Sequence, residues 1–271
     1  MANISNNITI AQFSHDLDFT YHEDYSIHCH NLYEVYYFIS GEVSYLVEGK
    51  RYTPTPHSIL MISPNILHGV KAIPPLAYER YVLHFSSQVI PAENRFTLLS
   101  PFHQSSSQSD IYYQDVEDFK LQNYFENLLA CNHMPNDMRN MATTIGIQSL
   151  LSQILYMSKQ TKSLAPTEHS SQTVTNIIDY VNNHLANKIT LDDISARFFI
   201  SKHHLNKVFR KATGTTLLQY VNHKRVATAN HYMTQGKSAT EAASKVGFHD
   251  YSVFYRSYKR IFGHAPTHHY H

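Results

Sequence analysis

The chain has 271 residues, of which 42% are hydrophobic, so it is long enough for about two domains with cores of their own. This composition excludes disordered and collagen-like proteins, and no run approaches the roughly 18 consecutive apolar residues of a membrane-spanning helix. Met1–Asn7 carries neither a basic region nor an apolar stretch, so we expect a cytoplasmic protein without a membrane partner. Cys29 and Cys131 form neither a CxxC pair nor a zinc-finger spacing, and we expect two reduced thiols.

The two halves of the chain differ in charge when it is divided near the polar stretch Thr161–Gln172. Residues 1–169 contain 9 lysines and arginines against 16 acidic residues, a net charge of −7, whereas residues 170–271 contain 13 against 5, a net charge of +8. This asymmetry indicates an acidic module tethered to one that binds nucleic acid, although a basic domain can also serve solubility alone. The predicted division is a first domain over residues 1–160, a linker over 161–173 and a DNA-binding domain over 174–271.

The first domain is rich in short segments of β-branched and aromatic residues, which turn residues separate. Several short strands at this spacing predict an antiparallel sandwich or small barrel over roughly residues 5–100. The periodicity then becomes helical, which predicts helices over Asp115–Cys131 and Arg139–Met157, the second apolar on more than one face. The predicted strands include Glu34–Ile39, Val43–Val47, Ser58–Ile62 and Glu79–Phe85.

One spacing pattern in this domain is specific: HxH-x3-E-x6-G begins at His28, and P-x3-H ends at His68. On an unbroken strand the two histidines and the glutamate of the first part would share one face, and His68 could join them from a neighbouring strand. The pattern resembles that of the cupin barrel over about residues 25–85, although His57-Ser58 replaces a usual Gly and acidic residue. The resemblance implies that four residues stand at the positions of cupin metal ligands: His28, His30, Glu34 and His68.

Three roles for these four residues stay open. Transcription regulators with cupin-like sensor domains often keep such residues without a metal, as a pocket for a small polar effector, and we expect that role and no cofactor here. Three imidazoles and a carboxylate also suit a divalent transition metal, or the four can be purely structural. Tyr36 and Phe38 share the inward parity of Glu34 and would suit stacking on a sugar ring, although such aromatic residues more often belong to the core.

From residue 174 onwards the chain is helical, and one helix-turn-helix pattern occurs twice. The first unit pairs Leu191–Arg197 with Lys202–Lys211, and the second pairs Ala239–Val246 with Tyr251–Phe262. A helix of about 17 residues, Leu217–Met233, lies between them and would be about 25 Å long. Two such units can face successive major grooves, which are about 34 Å apart. The predicted capping residues are Thr190, Ser201, Ser238 and Asp250, and Gly214 and Gly263 close the longer helices.

Several short patterns of this region are shared with one family. They are Leu191-x2-Ile194-Ser-Ala196, Ser201-x3-Leu205-x3-Phe209-Arg-Lys-x-Thr-Gly214, Lys224-Arg225-x3-Ala229, Ala242-Ala-x2-Val-Gly-Phe248-x-Asp250-x-Ser252-x-Phe254-x-Arg256-x-Tyr258-Lys259 and Gly263-x2-Pro266. With them, residues about 174–268 resemble the DNA-binding domain of the AraC/XylS family of bacterial transcription regulators. The chain departs from the family at Tyr258, where Phe is commonest, and at residues 267–271, where the family usually has Tyr-Arg.

By position, the resemblance implies which exposed residues of the two units contact DNA. Six would face base edges, and their side chains have the right chemistry for it: His203, Asn206, Lys207, Ser252, Tyr255 and Arg256. Others lie at helix ends or flanks, where contacts to phosphates would set the register: Ser201, Lys202, Lys211, Lys259 and Arg260, with Arg210 also facing outwards. A solvated basic face is the alternative for any one of them. We assign Leu205, Phe209, Phe248 and Phe254 to packing.

These observations predict an α+β two-domain protein, with an antiparallel cupin-like β-barrel plus two helices followed by an all-α domain with two helix-turn-helix motifs joined by a spacer helix. We expect an effector-responsive regulator of double-stranded promoter DNA, an activator that works with RNA polymerase, whose effector is a carbohydrate or related metabolite. Arg139–Met157 would join two copies in a homodimer, unless it packs wholly against its own barrel. The competing classes are a metal-sensing regulator and a metal-dependent cupin oxygenase or isomerase. An enzyme is not expected, because the sequence has no GxSxG, P-loop or HExxH.

Overall fold

The structure is a computed structural model, which describes residues 11–18, 25–73, 78–103, 111–169 and 171–266. An antiparallel sheet domain comes first and a helical domain follows, as the sequence predicts. Over these ranges no helix combines the length and the apolar character needed to cross a bilayer.

Nine strands over the described residues form two antiparallel sheets. They are β1 (Ala11–Asp18), β2 (Tyr33–Ser40), β3 (Val43–Val47), β4 (Lys50–Tyr52), β5 (Ser58–Ile62), β6 (His68–Ala72), β7 (Tyr78–Phe85), β8 (Tyr112–Tyr113) and β9 (Glu168–His169). The five-stranded sheet has the order β1-β7-β2-β5-β8, and the four-stranded sheet has the order β6-β3-β4-β9. Each of the four predicted strands is present, within one residue at either end.

Strand β2 shows how the sequence builds two cores from one sheet. Its even-numbered residues Tyr36 and Phe38 lie between the two sheets, among aromatic and aliphatic side chains of both. Its odd-numbered residues Val35 and Tyr37 lie on the other face, beneath the helices of this domain. Because both faces are covered, the five residues from Glu34 to Phe38 are all buried.

The described part of the first domain contains four α-helices: α1 (Ala92–Leu98), α2 (Ser100–His103), α3 (Leu121–Ala130) and α4 (Asn136–Gln160). The sequence predicts a strand region that runs to about residue 100, but α1 already begins at Ala92. Pro91 precedes this helix and Glu93 lies in its first turn, both of which favour a helix start. The first predicted helix begins too early. Asp115 and Lys120 both have a φ of 54°, in the left-handed region that a right-handed helix excludes, so α3 starts only after them.

Between residues 171 and 266, the second domain consists of six helices: α5 (Gln172–Asn183), α6 (Leu191–Arg197), α7 (Lys202–Thr213), α8 (Leu217–Thr234), α9 (Ala239–Lys245) and α10 (Tyr251–Phe262). Helices α5 to α7 pack around the start of α8, where Tyr220 is buried in the first of two cores. Helices α9 and α10 pack around its end, where Met233 is buried in the second. One continuous helix therefore contributes to both cores and joins the two units.

The predicted linker is partly ordered by the first domain. Strand β9 pairs antiparallel with β4, so that Lys50 lies opposite His169 and Arg51 opposite Glu168. Upstream, the Thr167 hydroxyl donates to the carbonyl of Arg51 at 3.1 Å, and the amide of Leu164 donates to the carbonyl of Tyr112 at 2.8 Å. The polar stretch between the domains thus continues the four-stranded sheet rather than crossing solvent freely.

Candidate nucleic-acid interface and sensor cluster

The two helix-turn-helix units are defined by their caps. The Thr190 hydroxyl accepts from the amide of Asp193, whose carboxylate accepts in return from the amide of Thr190, and this capping box starts α6. The Ser201 hydroxyl accepts from the amide of His204 at the start of α7, and Ser238 and Asp250 cap α9 and α10 in the same manner. All four predicted capping residues act as N-caps, so local sequence decides where these helices begin.

Helix α7 presents one polar face to solvent. Leu205 and Phe209 are buried in the first core of the domain, and Gly214, with a φ of 72°, ends the helix. The residues that the sequence predicts for DNA contact lie on the remaining surface. Ser201, Lys202, His203, Lys207, Arg210 and Lys211 are exposed, and Asn206 is half-buried.

Helix α10 repeats this arrangement. Phe254 and Tyr258 are buried in the second core, and the Tyr258 hydroxyl donates to the side-chain oxygen of Asn230 on α8. A tyrosine in place of the usual phenylalanine therefore gains a hydrogen bond between two helices. The predicted contact residues Ser252, Tyr255, Arg256, Lys259 and Arg260 are all exposed, whereas the atypical end at 267–271 lies outside the described residues.

The two units carry different residue types at the second position after their first helix. Phe199 follows α6 by two residues and has a φ of 53°, and Gly247 follows α9 by two residues and has a φ of 89°. A Cβ atom at Gly247 would lie 2.7 Å from the carbonyl oxygen of Ala186, so only glycine fits there. Phe199 holds a left-handed conformation that β-carbons disfavour, and 97% of its surface is exposed.

An ion pair within the first unit and the helix between the two units complete the arrangement. The Lys202 ammonium lies 2.8 Å from the Asp192 carboxylate, an exposed ion pair that joins the starts of α6 and α7 and contributes little to stability. Helix α8 has 18 residues and is about 27 Å long, close to the predicted spacer. The structure therefore brings the predicted contact residues onto two exposed helix faces of one domain.

The residues of the cupin pattern do come together in the first domain, and we call His28, His30, Glu34 and His68 the histidine cluster. Their potential ligand atoms all lie within 4.8 Å of one another. The expected continuous strand is broken, because the chain bends at Asn31-Leu32 before β2 begins. A backbone bridge between His28 and His68 restores the alignment.

Glu34 lies at the centre of the cluster and is almost fully buried. Its Oε2 atom lies 3.0 Å from Nε2 of His30, 2.9 Å from Nε2 of His68 and 3.1 Å from Nε2 of His84. Its Oε1 atom accepts a hydrogen bond of 2.7 Å from the hydroxyl of Tyr45. Three imidazoles and a phenol thus converge on a single carboxylate.

The backbone decides which imidazole nitrogen of each cluster histidine carries hydrogen. Nδ1 lies 2.9 Å from the carbonyl of Ser26 in His28, 3.0 Å from that of Leu32 in His30, and 2.8 Å from that of Ile66 in His68. A carbonyl oxygen only accepts, so each Nδ1 must donate. In a neutral imidazole Nε2 then carries no hydrogen, and its lone pair is available to the cluster. Histidines that bind a metal through Nε2 are in this tautomer.

The pKa values follow from burial and from Glu34. Burial alone would raise the pKa of Glu34, but the charge of His68 and hydrogen bonds from His30, His68 and His84 hold it well below its usual range. Although burial opposes it, the charge of Glu34 raises the pKa of His68. Burial lowers the pKa of His28 to about 4 and also lowers that of His30. We conclude that Glu34 and His68 form an ion pair, with a neutral His28 beside it.

Tyr36 and Phe38, the other two predicted effector residues, lie on the inward face of β2 with Glu34 but fill the core between the sheets. The Tyr36 hydroxyl is buried without a hydrogen-bond partner among the described residues. A surface cavity lies elsewhere, and none of the six predicted effector residues lines it. Its lining is formed by Val47, Glu48, Lys50, Met61, Ile62, Ser63, Ile66, Phe102 and Ile111.

Two residues of the cluster's surroundings were missed by sequence reasoning. His84 lies directly opposite Glu34 in the pairing of β2 with β7, and its ring centroid lies 4.6 Å from that of His30. Tyr45 reaches Glu34 from β3 in the other sheet. Alternation along the correctly predicted β7 strand indicates which face of the sheet His84 shares. It does not indicate which residue of β2 lies opposite His84, so the sequence could not pair it with Glu34.

Comparison with known proteins is consistent with both parts of the molecule. An AraC-like ligand binding domain matches residues 15–155, more than half of the chain, and a helix-turn-helix domain matches residues 194–269. The chain is 23% identical over 250 residues to the uncharacterized HTH-type transcriptional regulator YfiF of Bacillus subtilis strain 168, covering 90% of this chain and 76% of that protein. It is 22% identical over 245 residues to the HTH-type transcriptional activator RhaS of Escherichia fergusonii, covering 88% of this chain and 85% of that protein.

A solved structure of ToxT from Vibrio cholerae aligns over 95% of this chain and 96% of its own, with 15% identity and a TM-score of 0.39. The two family matches instead decide the assignment, because they cover the sheet domain and the double helix-turn-helix in the order found here. They describe a regulator rather than an enzyme. The chain belongs to the AraC family of DNA-binding transcription regulators, with an N-terminal ligand-binding domain.

Proposed function

We propose that this regulator reads promoter DNA through the exposed faces of α7 and α10 and that a small-molecule effector bound by the first domain controls it. The observation that carries the proposal is the pair of exposed faces on one helical scaffold, each rich in donors for bases and phosphates. The predicted base contacts from α7 are His203, Asn206 and Lys207, and those from α10 are Ser252, Tyr255 and Arg256. Residues 1–160 would sense the effector, and residues 174–271 would bind the DNA.

A selection from random duplexes with the full-length chain tests DNA reading. We expect an enriched site with two short conserved blocks about one helical turn apart, which the chain binds about 10³-fold or more tightly than unrelated DNA. Fluorescence anisotropy at fixed salt would give the ratio of the two dissociation constants. Enrichment of no sequence, with equal affinity for all duplexes, would contradict the proposal.

For the effector we propose a carbohydrate or related metabolite at the histidine cluster. Support comes from the imidazoles gathered around Glu34 and from the Tyr36 hydroxyl, which lies on the same inward side of β2 and is buried without a hydrogen-bond partner among the described residues. A panel of sugars and sugar phosphates, read by thermal unfolding, tests this. A ligand at 100 times its dissociation constant stabilises its site by about 2.7 kcal/mol. Absence of any shift across the panel, or a shift that Glu34→Gln does not reduce, would contradict an effector at the cluster.

A divalent transition metal is the second candidate signal, and a specific observation favours it. Three backbone carbonyls hold hydrogen on Nδ1 of His28, His30 and His68, so each Nε2 atom can ligate beside the Glu34 carboxylate once it carries no hydrogen, which for His68 requires release of the proton that it shares with Glu34. These four residues would hold the ion, which would fix the arrangement of strands around it. In the same panel, destabilisation by a chelator that one metal reverses would select this signal over the sugar.

The remaining parts of the proposal concern partners. RhaS is named a transcriptional activator, and we propose activation here too, with RNA polymerase as partner at promoters in the cytoplasm. Helix α4 supports a homodimer, because four large apolar side chains on it are exposed: Met138, Met141, Ile145 and Tyr156. Buried residues of the same helix, such as Leu150 and Ile154, pack against its own domain. One helix thereby has an inner face that is already used and an outer apolar face for a second copy.

A further inference from the structure

The sensor domain and the first DNA-binding unit share one apolar core. Cys29 and Leu67 of the first domain are buried in the same cluster as Ile177, Phe209 and other residues of the second. The Sγ atom of Cys29 lies 4.0 Å from Nδ1 of His223 on α8. The start of the DNA-binding domain is thus packed against the sensor.

A buried ion pair lies within this interface. Nζ of Lys224 lies 2.6 Å from Oε1 of Glu48 and donates to the carbonyl of Asn65 at 3.1 Å. The hydroxyl of Tyr220 donates to the same carboxylate oxygen at 3.3 Å. The side chains of Lys224 and Glu48 are only 11% and 4% exposed. Loss of one partner would leave the other charge buried and unpaired, so the pair strongly favours the docked arrangement over a misaligned one.

The segments that carry the histidine cluster have a second face. His28 and His30 alternate with Ile27 and Cys29, and the latter two pack against the DNA-binding domain. In the bridged segment, His68 belongs to the cluster whereas its neighbour Leu67 belongs to the shared core. A single layer of backbone therefore separates the cluster from the interface.

Two contacts cross this layer directly. The amide of Asn65 donates to the carbonyl of His30 at 2.8 Å, and the carbonyl of the same Asn65 accepts from Lys224. At the end of α7, a Cβ atom on Gly214 would lie 2.7 Å from Cγ1 of Ile27, the residue before His28. The cluster therefore touches both the ion pair and the end of the first recognition helix through one intervening residue.

We propose that Glu48 and Lys224 form an interdomain latch that docks the first DNA-binding unit on the back of the histidine cluster, so that a change in the cluster changes the affinity for DNA. The effect on DNA affinity rests on the proposed function, which gives α7 and the cluster their roles. The latch itself rests only on the contacts between the two domains. Both recognition faces stay exposed in the docked arrangement, so the latch sets their position relative to the sensor rather than covering them.

Cys29 provides a reporter of docking that does not involve DNA. In a Cys131→Ser background it is the single thiol of the chain, and it is buried in the interface. We expect Glu48→Gln and Lys224→Met each to accelerate its reaction with a disulfide reagent by about tenfold or more. The double variant leaves no unpaired buried charge and should return towards the original rate.

The matched control is Glu241→Gln, which breaks an exposed ion pair with Lys237 away from the interface and should leave the thiol rate unchanged. Circular dichroism and a thermal melt identify any variant that has unfolded. If a single variant has unfolded, the thiol rate of the folded double variant tests the latch. Folded single variants that react at the control rate, or a double variant that reacts as fast as the singles, would overturn the latch.

A double-mutant cycle tests the coupling to the cluster. His30→Ala should change the dissociation constant for the selected duplex by about threefold or more in the original chain, and much less in Glu48→Gln. An equal change in both backgrounds would refute the coupling. Absence of specific DNA binding by the unaltered chain would instead contradict the proposed function, and the thiol rates would still test the latch.

Discussion

Phe199 and Gly247 occupy the same position in the two helix-turn-helix turns and share a positive φ, although only one of them is glycine. The left-handed conformation costs a residue with a β-carbon about 1–2 kcal/mol, and the exposed phenylalanine ring has almost no burial to offset it. Glycine loses more backbone entropy on folding, about 0.5–1 kcal/mol.

We therefore expect Phe199→Gly to raise the free energy of unfolding by about 0.5–1 kcal/mol, measured by urea denaturation. Gly247→Ala is the control, and it should destabilise by more than about 2 kcal/mol because its Cβ would meet the carbonyl of Ala186. A loss of stability in Phe199→Gly would show that the ring contacts another part of the folded chain.

Tyr45 and Tyr36 form a matched pair for the Glu34 site. Both are buried on facing sheets with ring centroids 4.8 Å apart, but only the Tyr45 hydroxyl donates to Glu34. Tyr45→Phe should lower the free energy of unfolding by about 1.5–3 kcal/mol, because it removes a buried hydrogen bond to a charged group. Tyr36→Phe removes a hydroxyl without a described partner and should cost less than about 0.5 kcal/mol. Equal losses in the two variants would mean that the Tyr36 hydroxyl is also satisfied.

Arg256 and Lys259 on α10 distinguish base reading from phosphate binding. Arg256→Ala should cost about 1–3 kcal/mol of binding free energy and relax the preference at one base pair, because guanidinium contacts to guanine are specific. Lys259→Ala should weaken all duplexes alike and reduce the slope of affinity against salt by about one. Competition against a set of single-substituted duplexes measures both effects. An unchanged preference in Arg256→Ala would show that another face of α10 reads the bases.

Ile145 lies on the exposed apolar face of α4, with 60% of its surface exposed. A carboxylate at its place would be buried in the proposed homodimer, so Ile145→Asp should shift the chain towards monomer at micromolar concentration. Asn140→Asp adds the same charge about half a turn around the helix and should leave the oligomeric state unchanged. Light scattering after size exclusion gives the mass. The same mass for both variants and the original chain would argue against this face as the dimer contact.

The helical domain could be predicted in detail because its signals are local. Ser201 and Asp250 cap the helices that they were expected to cap, and the buried positions Leu205 and Phe254 follow from helical spacing alone. Each capping contact joins residues no more than three positions apart, so the sequence contains both partners within one turn.

The sensor was less predictable because its site depends on contacts distant in sequence. Four residues of the cluster follow from one spacing pattern, but His84 joins them through the register of two strands 50 residues apart. The ion pair of Glu48 with Lys224 joins residues 176 positions apart. No periodicity encodes such pairs, which arise only once the sheets and the interdomain packing have formed.

Strand β9, paired with β4, ends at His169 and α5 begins at Gln172, so only two residues connect the sheet to the helical domain. A DNA-binding domain held on so short a tether stays near its docking surface at an effective concentration of about millimolar even when the latch is open. A docking contact with an intrinsic dissociation constant of only about 0.1 mM would then be closed about ten times out of eleven. An effector that binds the open form about 1.4 kcal/mol more favourably than the closed form would then bring the two forms to equal populations.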